Sequence, residues 1–546
     1  MGRIERVSPV RRPDGAAWIW LCALALALVL GLMIALGGLI VLNSFNALWP
    51  HRLERIELAD GSALLGVPWA SSAIPGGGIR RQYRVANRDF NGGNDFRWIP
   101  VADIRSVARP QDALLLKRRA GGDFYGIFLG LSGDDSGGGA LEALARALSE
   151  HRAAWRRDGK PLADILDRLS AEWRSVRLAA LAADYDAHHA PKAAARRRAA
   201  AEAERLGDRR EEAKRASEDA LARLNAVRAR VDGTKARFQT GDGLIVEMPL
   251  AEILGVVQVN RLSLPGRALQ FARNGWAALS EFPREANTDG GLLPALFGTA
   301  LLVIIMAICA FPLGVAAGVY LREYARDNSF SRFARIAVNN LAGVPSIVYG
   351  IFGLGFFVYG LGGALDQALY PERVAAGIVT FKTGGILWSS LTLGLLTLPV
   401  VIVAAEEALA AVPGEMRQGS LALGATKFQT LRLVLMPMAA PGIMTGFILA
   451  MARAAGEVAP LMLTGAVKSA PLLAVDGGWP YLHLDRKFMH LGFHIYDMGF
   501  QSPNVEASKP MVYLTALALL VLVFALNAAA FKLRNVMRRR YAMKGL

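Results

Sequence analysis

A chain of 546 residues that is 53% hydrophobic, with a mean hydropathy of +0.30, is too apolar for an ordinary soluble enzyme and too long for one small domain. Its formal charge of +16 would fit a nucleic-acid partner, yet Lys and Arg sit beside apolar runs or in one Ala-rich stretch without interleaved aromatics, so no nucleic acid is expected. Cys22 and Cys309 both fall in apolar segments, which excludes a disulfide framework and a cysteine-ligated metal.

In chain order, a tail over residues 1–16 precedes a first apolar run, 17–42, too long for a signal-peptide core and without a small-x-small cleavage site. It reads as an uncleaved anchor. Five further stretches, near 292–320, 336–361, 384–405, 433–463 and 512–531, meet or approach the ~20 apolar residues that cross a bilayer. Arg3, Arg6, Arg11 and Arg12 precede the first span, Arg322, Arg326, Arg332 and Arg335 fill the short loop after the second, and Lys532, Arg534 and Arg538 to Arg540 follow the last. This bias places both termini in the cytoplasm of a multi-pass inner-membrane protein surrounded by lipid.

Residues 43–290 then lie outside the cytoplasm as a domain. Short apolar runs and turn signals over 52–131, such as Asp60-Gly61 and Gly76-Gly77-Gly78, predict β-hairpins, and 234–260 resume that style. The stretches 99–104 (IPVADI) and 248–253 (MPLAEI) are alike, as two copies of one small β unit or chance would make them. Between them, 138–232 are rich in Ala, Arg, Glu and Leu with charges of both signs, which predicts a solvated coiled-coil arm with breaks at Pro161 and Pro191. Residues 291–532 hold the remaining five spans, and 533–546 form a second cytoplasmic tail.

The loop between the fourth and fifth spans carries Glu406-Glu407, Val412-Pro413, the run Gly419 to Lys427, and Leu435-Met436-Pro437. Gly424 permits a left-handed cap and a sharp reversal from one short helix into a second, giving a compact knob on the membrane surface. This loop resembles the coupling loop of binding-protein-dependent ABC permeases, which runs Glu-Ala-Ala, three residues, Gly, nine residues, Ile-x-Leu-Pro. Gly424, Val434, Met436 and Pro437 keep that spacing, whereas Gln418, Gly419 and Ser420 stand where Glu-Ala-Ala is usual. The resemblance implies ATPase coupling through Glu406, Glu407, Gln418, Gly424, Ala425, Lys427 and Pro437.

Three further stretches, 343–350 (GVPSIVYG), 453–461 (RAAGEVAPL) and Ile495-Tyr496 with 502–506 (SPNVE), look like the A-type subunits of phosphate permeases. That resemblance covers about 290–535 and leaves 43–290 as an insertion of a long variant. It implies an all-α polytopic fold, the type I ABC importer permease fold with six transmembrane helices, carrying an inserted α+β periplasmic domain with a coiled-coil arm. It further implies a heterodimer with a homologous C-type phosphate permease, two copies of a cytoplasmic ATP-binding subunit, a periplasmic phosphate-binding protein and a link to a sensor kinase. The chain has no Gly-x-x-x-x-Gly-Lys-[Ser/Thr] phosphate loop, so ATP binds another polypeptide, and no cofactor or catalytic residue is expected in this one.

Pro345, beside Ser346, breaks or bends a membrane helix, as a water-filled path tolerates and as helix packing also can. Arg453 and Glu457, four residues apart, share a face of the fifth span, either as a structural ion pair or with the Arg453 guanidinium offered to phosphate oxygens. His490 and His494 share the same spacing, but no third ligand is evident and the pair reads as solvated or interfacial. A permease for molybdate or sulfate, and a membrane sensor using the external arm, are the competing readings.

Overall fold

The computed structural model describes residues 16–75, 77–90, 92–132, 141–477, 481–502 and 504–542. Arg3, Arg6, Arg11, Arg12, Gly76 and Pro503 lie outside the described residues, as do residues 138–140 and the side chains of Arg538 to Arg540.

Among the described residues, six helices are long and apolar enough to span a membrane: Trp18–Leu48, Leu293–Tyr324, Ser346–Leu369, Ile386–Ala410, Lys427–Gly456 and Val505–Val536. The fourth is the most enclosed, with 67% of its most apolar window buried, whereas that of the first is 0% buried. Val401 and Ala405 of the fourth span close on Gly314 and Gly318 of the second, the small-residue packing that lets membrane helices approach.

Two expected spans are corrected. The run 336–361 is two helices, Ser329–Leu341 and Ser346–Phe352 with its continuation, because Pro345 lacks an N–H and holds φ at −55° as the N-cap of the second. The run 433–463 begins earlier, at Lys427, and stops at Gly456; Glu457 is extended (φ −79°, ψ 131°) and a short helix, Ala459–Thr464, restarts around Pro460. A proline cannot donate to the carbonyl four residues back and its ring crowds that carbonyl, so the helix ends there.

The inserted domain contains two five-stranded sheets of one topology. In the first, β1 (Glu54–Leu58), β2 (Ala63–Ala73), β3 (Ile79–Arg84) and β4 (Phe96–Pro100) form a meander, and β5 (Ile104–Ala108) returns beside β1. In the second, β6 (Ala113–Arg118), β7 (Phe124–Leu131), β8 (Lys235–Gln239) and β9 (Ile245–Pro249) repeat the meander, and β10 (Ile253–Val257) returns beside β6. Each passes from its fourth to its fifth strand through one 3-10 turn, Val101–Asp103 and Leu250–Glu252, entered from Pro100 (ψ 135°) and Pro249 (ψ 140°). The like stretches 99–104 and 248–253 therefore occupy equivalent places. Alternation buries Ile56, Leu64, Tyr83 and Ile99 in one core and Leu116, Phe124, Phe238 and Met248 in the other.

The arm is inserted between β7 and β8. Helices Leu141–Ala154 and Lys160–His189 are continuous through Trp155–Gly159, and Ala193–Val231 returns alongside. Pro161 does not break the arm: the preceding turn widens, with Lys160 N–H donating to the Trp155 carbonyl five residues back, and the helix runs on. The turn at 190–192 holds Pro191. Val176, Ala180 and Ala183 on one helix and Ala213, Ala220 and Leu224 on the other are buried, with Ser170 and Ser217 hydroxyls 3.4 Å apart. The arm also touches the short helix Pro371–Ala375 beyond the third span.

A strap joins insertion to core: β11 (Pro283–Arg284), then Glu285, Ala286 and Asn287 at φ 47°, 48° and 73°, then β12 (Asp289–Gly290). Glu285 accepts from Gly121 N–H in the turn between β6 and β7, while Asn287 Nδ2 donates to the Lys468 carbonyl (2.9 Å) and to Asp497 (3.3 Å) in the core. Nearby, burial and the neighbouring Asp123 push the Asp289 carboxyl up to about 6.

Candidate functional site

The loop after the fourth span lies, by the parity of the spans, on the opposite side from the inserted domain. Its helix Gly414–Ala422 ends in a Schellman turn: Gly424 N–H donates to Leu421 O (3.0 Å) and Ala425 N–H to Ser420 O (3.2 Å), with Gly424 at φ 85°. Thr426 then opens the next helix with a reciprocal capping box, Gln429 N–H to Thr426 Oγ1 (3.2 Å) and Thr426 N–H to Gln429 Oε1 (2.8 Å). Ser420 and Thr430 hydroxyls, 3.0 Å apart, tie the two arms of the turn. The second helix is not a short separate one, as expected, but the start of the fifth span, because Lys427 to Gly456 run on without a breaker that ends the helix.

The turn presents an apolar knob. Leu423 is 91% exposed at its tip, and Met416, Leu421 and Phe428 are exposed around it. Gln418, Gly424 and Lys427 are exposed, Ala425 and Pro437 are half-buried, Glu407 is exposed at the end of the fourth span, and Glu406 is half-buried. Two ion pairs anchor the knob's surroundings: Arg417 Nη2 to Glu323 Oε1 at 2.6 Å, and Arg335 Nε to Glu406 Oε1 at 2.8 Å, with Arg335 also donating to Leu321 O. Arg417 thus ties the loop to the end of the second span, and Arg335 ties the helix Ser329–Leu341 to the ends of the second and fourth. Glu323 and Arg417 were not singled out from sequence, and Arg335 only as a loop cation; nothing local marks pairs that the fold brings together from distant segments.

A second cluster lies within the bundle. Arg335 is level with Glu406 near one end of the fourth span, while Gly353 packs on Thr392 near the other. The break at Pro345 falls in sequence between these two contacts, at the start of the third span. The break in the fifth-span segment comes to the same depth: a β-carbon on Gly350 would stand 2.7 Å from Pro460 Cα, a contact only glycine allows. Tyr349 stitches the first break, its hydroxyl donating to Leu341 O at 2.6 Å, and lies within electrostatic reach of Arg453. Arg453 Nε is 3.4 Å from Glu457 Oε1, with side chains 39% and 22% exposed. The pair is therefore an ion pair, but Glu457 lies beyond the end of the helix rather than on its face, and the guanidinium keeps donors uncovered. Two interrupted helices with freed backbone groups and an accessible guanidinium at one depth are what a polar path through a membrane requires.

The histidine pair is buried, not solvated: His490 and His494 are 0% and 2% exposed. His490 caps the helix Leu491–Tyr496, its Nδ1 accepting from Gly492 N–H at 3.1 Å, and His494 Nδ1 lies 3.3 Å from Thr515 Oγ1. Burial pushes the two rings down to about 3 and about 4, so both are neutral. They are packing and capping groups; among the described residues no cluster of three His, Cys, Asp or Glu side chains surrounds them.

The family profile described as binding-protein-dependent transport system inner membrane component matches residues 310–541. The phosphate transport system permease protein PstA 1 of Mycobacterium tuberculosis (strain CDC 1551 / Oshkosh) is 36% identical over 252 residues, 46% of this chain and 73% of the relative. The probable ABC transporter permease protein YqgI of Bacillus subtilis (strain 168) is 33% identical over 225 residues, 40% and 70% of the two chains. Among solved structures, the inward-facing MetNI methionine ABC transporter aligns with a TM-score of 0.32 at 20% identity, over 45% of this chain and 95% of that one. With its six spans, its interrupted third and fifth segments and its capped knob, this chain belongs to the binding-protein-dependent transport system inner membrane components, as a PstA-type, multi-pass inner-membrane permease of the type I ABC importer fold.

Proposed function

We propose that this chain is the membrane-spanning permease subunit of an ATP-driven importer of inorganic phosphate, forming part of the translocation path and transmitting the work of an ATPase it does not itself contain. The observation that carries the reading is the combination, in one core that is 36% identical to a phosphate permease, of an uncovered guanidinium between two broken helices and an exposed apolar knob on a rigid turn. Leu423 and Phe428 enter a groove on a cytoplasmic ATP-binding subunit; Arg417–Glu323 and Arg335–Glu406 carry its movement into the bundle. Arg453 offers its planar fork to phosphate oxygens and Glu457 holds it when the path is empty. A homologous C-type permease supplies the other half of the path, a second copy of the ATPase serves it, and a periplasmic binding protein delivers phosphate. Both termini and the knob face the cytoplasm and the inserted domain the periplasm, as the arginine clusters favour. Contact with a sensor kinase belongs to the same reading.

The test is reconstitution of the co-purified assembly in proteoliposomes, with ATP inside and binding protein outside, followed by uptake of labelled phosphate, sulfate and molybdate. Phosphate accumulation that depends on ATP supports the proposal. Accumulation of sulfate or molybdate in preference to phosphate, or co-purification of a histidine kinase without an ATPase, overturns it.

A further inference from the structure

The helix Leu264–Ser280 ends the inserted domain and was not distinguished from it by sequence. Ser263 caps it by accepting from Gly266 N–H, and Pro265 fits its first turn. One face is fastened to the end of the first span: Phe271 packs on Phe45 at 4.7 Å, Asn274 Nδ2 donates to Leu48 O at 2.9 Å, and Arg267 donates to Pro50 O while lying over the Trp49 ring. Near its other end Leu292 N–H donates to Ala278 O just before the second span begins. The helix is thus held at the level where the first span ends and the second starts.

Its opposite face is apolar and uncovered. Leu269, Ala272, Trp276 and Leu279 recur at i, i+3, i+7 and i+10, one stripe of a helix. Trp276 is 71% exposed, Leu269 and Leu279 are about half exposed, and Phe282 just beyond the end is exposed as well. Arg273 flanks the stripe and is exposed. A stripe of this size facing water would be costly, and the first span, to whose end the helix is fastened, also exposes large apolar side chains along its length.

We propose that this helix lies in the headgroup–acyl boundary of the leaflet nearest the inserted domain, with Leu269, Trp276 and Leu279 in the acyl region and Arg273 at the level of the lipid phosphates. The occupant is bilayer lipid: the opposite face of the helix is fastened to the end of the first span, which exposes apolar side chains along its length, and the exposed Trp276 is the residue type that favours a membrane interface. Seated there, the helix fixes the height and tilt of the two sheets over the membrane and sets where the arm meets Pro371–Ala375. This reading is independent of the transported substrate.

The test uses the full chain with its partner subunits in nanodiscs of phosphatidylethanolamine and phosphatidylglycerol, with Cys22 and Cys309 replaced by serine. Nitroxides are placed singly by Leu269→Cys, Trp276→Cys and Leu279→Cys, and at Ala195→Cys on the exposed end of the arm. All four positions are exposed, so the labels do not disturb a core. Expected is severalfold greater collision with oxygen than with a water-soluble nickel chelate at 269, 276 and 279, at headgroup depth, and the reverse at 195. Nickel-dominated collision at the three stripe positions means the helix stands in water, and exclusion of both reagents means a protein partner covers it; either result overturns the assignment.

Discussion

The turn at Gly424 allows a direct test of whether backbone conformation or side-chain contact is what the knob needs from that residue. Its φ of 85° is a left-handed conformation, while a β-carbon there would meet nothing within 4 Å. The cost of a side chain is therefore conformational, about 1–2 kcal/mol for an ordinary L-residue and less for Asn, which tolerates this region. That lowers the population of the Schellman turn by about 5–30-fold, and more for a β-branched residue. The ordering expected for ATP-driven uptake at equal membrane abundance is Gly, then Gly424→Asn close to it, then Gly424→Ala, then Gly424→Val. Basal ATP hydrolysis by the partner should persist while its stimulation by transport is lost in the same order. Uptake by Gly424→Val equal to wild type would refute the role of the turn. Loss by Gly424→Asn as complete as by Gly424→Val would show that an approaching partner surface, not the backbone, excludes a side chain.

Other expectations follow from the same geometry. Arg417→Ala strands Glu323, only 13% exposed, and should lower both coupling and thermal stability by about 1–3 kcal/mol; the exchange of the two charges, Arg417→Glu with Glu323→Arg, should restore part of it, and no recovery would count against a direct pair. Arg453→Lys keeps the charge but loses the planar fork, so uptake should fall with assembly intact as read by size-exclusion chromatography; normal uptake by both Arg453→Lys and Glu457→Gln would remove the pair from the path. Gly350→Val should overpack against Pro460 and cost about 1–3 kcal/mol, seen as a lower melting temperature in detergent; an unchanged melting temperature would contradict the close approach. His490 and His494, held at about 3 and about 4, stay neutral in the folded protein while the unfolded chain takes up protons below 6.5. Stability should therefore fall as pH drops from about 6.5 to 4, by up to about 1.4 kcal/mol per pH unit for each ring, and be insensitive to them above that window. Asp289, raised to about 6, acts with the opposite sign, so the informative quantity is the difference from His490→Asn, which keeps a cap for Gly492 N–H. An acid limb identical in that variant would show that His490 does not titrate on unfolding.

What could be read in the sequence was what is written locally. Apolar length marks a span whatever its neighbours, so all six were found, and the left-handed turn was legible in Gly424 because few other residues serve there. Span ends were less legible: Pro345 and Pro460 stop helices, but Pro161, equally a breaker by type, is absorbed by a widened turn. The histidines were misplaced because their burial depends on Thr515 and on the surrounding spans, none of which leaves a trace near residues 490–494. The pairing of β6 with β10 was hidden for another reason: the arm separates the two halves of the second sheet, so its likeness to the first survives in only a few residues. The helix Leu264–Ser280 carries no such local mark, because along the chain its apolar residues alternate with Arg273 and Asn274 as in any amphipathic surface helix.

The placement of the arm has a consequence for how the chain reaches its fold. Leu131 at the end of β7 pairs with Ala236 in β8, so the second sheet can close only when residues far apart in sequence meet. For a flexible connection that search is slow, because its entropy is lost before any strand contact forms. The arm shortens it. Helices of 30 and 39 residues joined by a tight turn form from local contacts and, once paired, deliver their two roots side by side, leaving β7 and β8 to join as though a hairpin linked them. Chain topology then predicts an order: arm first, second sheet after it as Leu144 and Leu148 at the root of the arm enter its core, and the strap to the core last.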